Sequence, residues 1–262
     1  GTSYSQVAQL APDVNQSYEQ FGASVALNYN GTKLIVGAPV EYNPANNAQS
    51  GVVYYFALSS GTWAQVQKIT SDVSNWYEYF GYSVDISSDG STIMVGAPNE
   101  STDVGNTGAA YIYVMSGSTY AEQQKLTASD KQWYAWFGSD VSLSPDGNLA
   151  AVGAYQMSNP GFSQDGAAYV FSRSAGVWSQ KQKVVAADAQ NQNYFGTGVS
   201  LSGNDLIVSA MAASPSNQYK VGAAYIYELA VNGLPHGVIK TNSSGALDSS
   251  FLQYNVNFGG NI

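Results

Sequence analysis

An all-β chain of four similar antiparallel sheets is the fold predicted by this 262-residue sequence. Three observations predict it: a fourfold internal repeat, strand-type patterning inside every copy, and the absence of helical periodicity. The pair Phe-Gly recurs at Phe21-Gly22, Phe80-Gly81, Phe137-Gly138 and Phe195-Gly196, at intervals of 59, 57 and 58 residues. Each pair is followed by a short alternating segment, such as Ser83-Val84-Asp85-Ile86 or Asp140-Val141-Ser142-Leu143. A turn pair comes next: Asn30-Gly31, Asp89-Gly90, Asp146-Gly147 or Gly203-Asn204. Such residues tolerate the positive φ that hairpin turns require.

The second segment of each copy is an apolar run: Leu34 to Pro39, Ile93 to Pro98, Leu149 to Ala154 and Leu206 to Ala210. A variable polar loop leads to the third segment, which opens at Gly51, Gly108, Gly166 and Gly222. The fourth is more polar. It carries an aromatic anchor and a Gln-Lys pair, as in Trp63 with Gln67-Lys68, Tyr120 with Gln124-Lys125, and Trp178 with Gln182-Lys183. Four strands per period of this length predict a β-propeller of four blades of about 58 residues. An apolar second strand suits a sheet sandwiched between neighbours. A polar fourth strand with lysine suits an outer edge. The propeller is expected over residues 1–240, with repeats at 13–70, 71–128, 129–186 and 187–240.

Both ends depart from this pattern. Tyr4 to Pro12 aligns with Trp63 to Ser71, so an N-terminal outer strand is expected to complete a blade, either by closing the ring on itself or in trans. Val238-Ile239-Lys240 competes for the same edge of the fourth copy. Residues 241–262 read as a tail or a partial extra repeat, with Leu247-Asp248-Ser249-Ser250-Phe251 and Phe258-Gly259-Gly260 similar to a repeat of large bacterial surface proteins.

Composition narrows the function. With nine Lys and Arg and a formal net charge of −9, the chain lacks the clustered cations that a phosphate backbone or an anionic membrane surface demands. No apolar run approaches the ~20 residues that span a bilayer, so no membrane insertion is expected. There is no cysteine, and His236 is the only histidine; thiol chemistry, Ser-His-Asp catalysis and histidine metal sites are therefore disfavoured. No enzyme activity, metal or cofactor is expected. The sequons at Asn15, Asn30, Asn99 and Asn242 are candidate glycosylation sites.

The Phe-Gly pairs, together with the Gly-Ala-Pro sites at Gly37 and Gly96, resemble the FG-GAP repeats of integrin α heads, some fungal lectins and many surface proteins. The resemblance covers about residues 13–240 and implies an extracellular or surface-exposed propeller. Calcium-binding members of that family carry a loop of the D-x-D-x-D-G type between the first two strands. Here Asn28 to Gly31, Ser87 to Gly90 and Ser144 to Gly147 offer one carboxylate at most, so calcium sites are not carried over.

Two loop sets, before Phe-Gly and after Gly-Ala-Pro, should emerge on one face. Tyr18, Trp76, Tyr77, Trp133 and Tyr134 are the candidate ligand-binding residues there, because aromatic rings on polar loops give rigid apolar area with a polar handle. Tyr79, Trp136 and Tyr194 read as packing between copies, Asp13, Asp72, Asp130 and Asp188 as turn caps, and Glu19, Glu78 and Glu100 as solvated loop residues. The expected function is adhesion or assembly through contacts with other proteins or further copies of the chain. The alternative is a carbohydrate-binding lectin that takes glycans on the aromatic loops.

Overall fold

The structure is a computed structural model. It describes residues 5–12, 19–43, 48–71, 76–215 and 219–228, and the backbone of 238–240. Among them there is no helix longer than a single turn, and each repeat folds into one four-stranded antiparallel sheet. The first blade holds β1 (Ser24–Leu27), β2 (Lys33–Ala38), β3 (Val52–Ser59) and β4 (Thr62–Ile69). The second holds β5 (Val84–Ile86) and β6 (Thr92–Ala97), then, beyond a small added hairpin of β7 (Ser101–Thr102) and β8 (Gly105–Asn106), β9 (Ala109–Ser116) and β10 (Thr119–Leu126). The third holds β11 (Phe137–Leu143), β12 (Leu149–Ala154), β13 (Ala167–Ser174) and β14 (Val177–Val184). The fourth holds β15 (Phe195–Ser202), β16 (Asp205–Ala210), β17 (Ala223–Glu228) and β18 (Val238–Lys240). The β7–β8 hairpin lies where the sequence shows only a variable loop.

Alternation along the strands sends one set of side chains to each face, and both faces of the inner blades are buried. Between the first and second blades, Ile35, Val53 and Tyr55 pack against Val84, Ile93, Val95 and Tyr111. The same layer forms twice more, with Met94 and Ile112 against Val141 and Val152, and Ala151 and Val170 against Val199 and Val208. Each Phe of a Phe-Gly pair caps the face of its own blade: Phe80 meets Tyr111 edge-on at 5.4 Å, and Phe195 meets Tyr225 at 5.3 Å.

The glycines of the motifs are explained by close approach between blades. A Cβ on Gly37, Gly96 or Gly153 would lie 2.0, 2.1 and 2.1 Å from the carbonyl oxygens of Gly81, Gly138 and Gly196, respectively. The Gly of Gly-Ala-Pro thus receives the Gly of the next Phe-Gly pair. Polar bonds tie the inner strands together. Ser83 accepts from the Val141 amide and Asp85 from the Leu143 amide. Asp140 accepts from the Val199 amide and Ser142 from the Leu201 amide.

The Gln-Lys pairs have two separate uses. Gln67 donates to the Tyr120 carbonyl at 2.8 Å and accepts from its amide at 2.7 Å, and Gln124 clamps Trp178 in the same way. Outer strands of neighbouring blades are therefore fastened by one side chain each. The lysines turn toward carboxylates: Lys68 to Glu41 and Lys125 to Glu100, both buried, and Lys183 to the exposed Asp130. Tyr54, Tyr111 and Tyr169 donate to those same carboxylates. In the third blade Met157 takes the place of Glu41 and Glu100, and Asp130 of the preceding turn supplies the charge instead.

Three expectations need correction. Glu19, Glu78 and Glu100 are buried, not solvated. Glu100 is held by Lys125 and the Tyr111 hydroxyl, and Glu78 accepts from the Ser71 hydroxyl, because each fills a gap between loops that only a bonded polar group can occupy. Asp130 and Asp188 reach past their own turns to the hydroxyls of Tyr169 and Tyr225. The N-terminal segment forms no strand over residues 5–12, and the outer edge of the fourth blade is taken by β18. That strand sets Lys240 opposite Tyr225, the register in which Lys183 faces Tyr169. Asp13, Asp72 and His236 lie outside the described residues.

Candidate functional site

The loops that carry the candidate aromatics are held by backbone bonds from the preceding blade. The Tyr77 amide donates to the Gln49 carbonyl, and Tyr134 to Asn106. The two loop sets therefore meet on one face, as their positions in the repeat require. Tyr77, Tyr79, Tyr134, Trp136 and Tyr194 all have φ between 55° and 62°. A bulky residue in this left-handed region costs about 1 kcal/mol or more, so the rings are held outward by surrounding structure rather than by local preference.

Eight of these rings form a continuous ridge. Tyr42 meets Trp76 edge-on at 5.9 Å, Trp76 meets Tyr77 at 6.1 Å, and Tyr77 meets Tyr79 at 6.5 Å. Tyr79 and Tyr82 both reach Trp136 of the next blade, at 6.3 and 5.9 Å. From Trp136 the ridge runs to Tyr155 at 5.6 Å and on to Tyr194 of the fourth blade at 6.0 Å. Trp76, Tyr77 and Tyr82 are exposed, and the other members are half-buried.

Trp133 and Tyr134 stand apart as a stacked pair, 5.3 Å between centroids and 7° from parallel. Trp133 is 65% exposed. The β7–β8 hairpin lies beneath it, since a Cβ on Gly105 would touch its indole nitrogen at 3.0 Å. Lys131 and Asp103 join the same two loops by an exposed ion pair.

Four of the five aromatics singled out by sequence are thus placed on one face: Trp76 and Tyr77 in the ridge, Trp133 and Tyr134 in the pair. Tyr18 lies outside the described residues. Tyr79, Trp136 and Tyr194 pack between copies as expected, and they also belong to the ridge. Tyr42, Tyr82 and Tyr155 were missed. A signal existed for two of them: Tyr155 replaces the Pro of Gly-Ala-Pro, and Tyr82 follows Phe-Gly where the other copies carry Ala23, Ser139 and Thr197. Of the sequons, Asn30 is exposed. Asn99 is half-buried and donates its amide nitrogen to the Tyr77 carbonyl at 2.7 Å. Asn15 and Asn242 lie outside the described residues.

Among the described residues, no three His, Cys, Asp or Glu side chains are grouped to hold a metal ion, and no helix is long and apolar enough to cross a membrane. Asp89 and Asp146 are engaged within their own turns, by Ser87 and Ser91 and by Ser144 and Asn148. A cleft of about 460 Å³ is lined by Asn159, Phe162, Asp165, Lys183 and Val185 among others. Its charged groups are already bonded, Lys183 to Asp130 and Asp165 to Asn159.

A row of four-stranded blades bearing a loop face of aromatic residues defines a repeat-built, propeller-type β protein. The FG-GAP repeat model matches residues 4–56, 63–113, 120–171 and 178–227, and the chain belongs to the FG-GAP repeat family. The second, third and fourth matched units open on the outer-strand aromatics Trp63, Tyr120 and Trp178, and the first opens on Tyr4, outside the described residues. No curated protein matches the chain. Among solved structures, the chain is similar to one assigned as TolB from Agrobacterium tumefaciens, at 14% identity and a TM-score of 0.48, over 86% of this chain and 62% of that one. The chain therefore spans less than two thirds of that neighbour's length.

Proposed function

We propose that this chain is a non-catalytic, extracellular or surface-exposed adhesion module that engages a partner protein through the aromatic ridge. One observation carries the reading. Eight aromatic rings in unbroken contact run across the loops of all four blades, several held at positive φ. Rings packed only for stability would be buried, whereas Trp76 and Tyr77 are exposed. Tyr and Trp dominate the energetic centres of protein interfaces because they bring large rigid area with a hydrogen-bonding handle. The net charge of −9 suits a close-range contact more than steering toward an anionic partner.

The stacked pair Trp133 and Tyr134 favours a second reading, a carbohydrate-binding lectin. Two parallel exposed rings offer a flat platform of the kind on which a sugar ring packs.

One experiment separates the readings. The chain and a Trp76→Ala/Trp133→Ala variant of confirmed fold are screened on arrays of immobilised extracellular proteins and of glycans. Saturable binding to a protein that the variant loses supports adhesion. Glycan binding that the variant loses supports the lectin. Binding that the variant retains in full would remove the aromatic face from either role.

A further inference from the structure

The cleft of about 460 Å³ in the third repeat has a volume typical of small-ligand sites. It lies between the loop that joins β12 to β13 and the segment that follows β14. The aromatic ridge uses the same two segments, but none of its rings lines the cleft. Hydrogen bonds hold the two banks together. The Gln192 amide donates to the Ser163 carbonyl at 2.8 Å, and the Ser163 amide donates to Asn191 Oδ1 at 2.9 Å. The cleft is therefore preformed, and a ligand spends little on ordering it. Phe162 and Val185, 42% and 40% exposed, give it apolar walls together with the exposed Ala187.

Two opposite charges line the cleft, and they are not paired with each other. Asp165 is 2% exposed, yet its two oxygens accept only from the amide and the Nδ2 of Asn159, each at 2.8 Å. Among the described residues no ion pair includes it, so a buried carboxylate is bonded but not neutralised. Lys183 gives one hydrogen bond to Asp130 and keeps the other N–H groups of its ammonium for a further partner. Asp130 itself is not part of the lining. Both features depart from the repeat. At the position of Asp165 the other copies carry Ser50, Thr107 and Val221. Met157 stands where Glu41 and Glu100 hold the lysines of their own blades.

We propose that this cleft binds a zwitterionic amino acid with an apolar side chain. Asp165 takes its ammonium, Lys183 its carboxylate, and Phe162 and Val185 its side chain. Charge complementarity selects the ligand. A purely cationic ligand would meet the Lys183 ammonium, and a purely anionic one would meet Asp165, whereas a zwitterion answers both. The apolar walls then favour a hydrocarbon side chain over a polar one. The site stands apart from the adhesion reading, because no ring of the ridge contributes to it.

The test titrates the chain with L-leucine and with L-phenylalanine and follows the backbone amides by NMR. Saturable shifts are expected from Asn159 to Asp165 and from Lys183 to Ala189. Removing either charge of the ligand, as its amide or its N-acetyl derivative, should weaken binding about tenfold or more. Asp165→Asn should do the same. Ala187→Trp fills the cleft from an exposed position and leaves both charges in place. It should abolish the shifts while circular dichroism and the urea midpoint stay those of the parent, and it serves alone if Asp165→Asn does not fold. No saturable shift with either amino acid overturns the proposal. So does a blocked derivative that binds as tightly as its amino acid, since one charge would then suffice. Binding that survives Ala187→Trp overturns it too, by placing the ligand elsewhere.

Discussion

At the scale of single residues, the interfaces depend on atoms that are absent. Gly96 has ordinary backbone geometry, so its need for glycine is purely steric, set by the Gly138 carbonyl. Gly96→Ala should destabilise the fold by about 2–4 kcal/mol in urea unfolding, while an alanine at Gly61, where nothing lies within 4 Å and φ is 79°, should cost only about 1 kcal/mol. Equal costs would mean the blades do not approach as described. Acid-base behaviour is also a residue-scale property. Burial pushes the carboxyl of Asp140 up from its ordinary 3.8, against the lowering effect of the Val199 amide and the Ser83 hydroxyl. Asp85 is raised for the same leading cause. A raised folded pKa means the native state holds protons more tightly than the unfolded chain, so these groups stabilise most below 3.8 and lose that contribution as pH rises through their raised values. Stability should therefore rise as pH falls from neutral toward about 4, and Asp140→Asn should flatten that rise. Urea midpoints across this range decide it; identical slopes for parent and variant would contradict it.

At the scale of elements, outer strands are joined by side-chain clamps rather than by a shared ladder. Gln124→Ala leaves both the amide and the carbonyl of Trp178 without their partner and should cost about 2 kcal/mol, with Gln124→Glu, which keeps the acceptor, about half as damaging. Lys125 closes another connection. Burial lowers its pKa, while the charge of Glu78 opposes that shift, and Glu100 beside it is fully buried. Lys125→Met should destabilise by about 3 kcal/mol or more, and adding Glu100→Gln should recover part of the loss by removing the stranded charge. No recovery in the double variant would place the effect in packing instead.

Much of this was legible in the sequence. Strand number, blade period and the face on which the loops emerge all follow from motifs repeated in register. The Gln-Lys pair was visible too, but its meaning was not: period and polarity mark an outer edge without telling that Gln67 crosses to Tyr120 while Lys68 turns in to Glu41. Glu78 and Glu100 read as solvated because burial of a carboxylate depends on partners more than twenty residues away or in another strand, such as Lys125. Tyr82 and Tyr155 were hidden for another reason. A repeat directs attention to what recurs, and these residues join the ridge at positions where one copy departs from the others.

At the scale of the whole molecule, the described blades form an ordered row, each of the last three packed on the one before, with no blade described against the outer face of the first. The inner-strand amides report this most directly. Val141, Leu143, Val199 and Leu201 donate to side chains of the preceding blade, whereas β1 pairs with β2 in the register that turns the Val25 and Leu27 amides outward, with no preceding blade described against them. Residue-resolved amide hydrogen exchange on the isolated chain is the decisive measurement. This arrangement should give strong protection at Val141, Leu143, Val199 and Leu201 and rapid exchange at Val25 and Leu27. Protection at Val25 and Leu27 equal to that of the other four would contradict it, showing that the first blade is already covered.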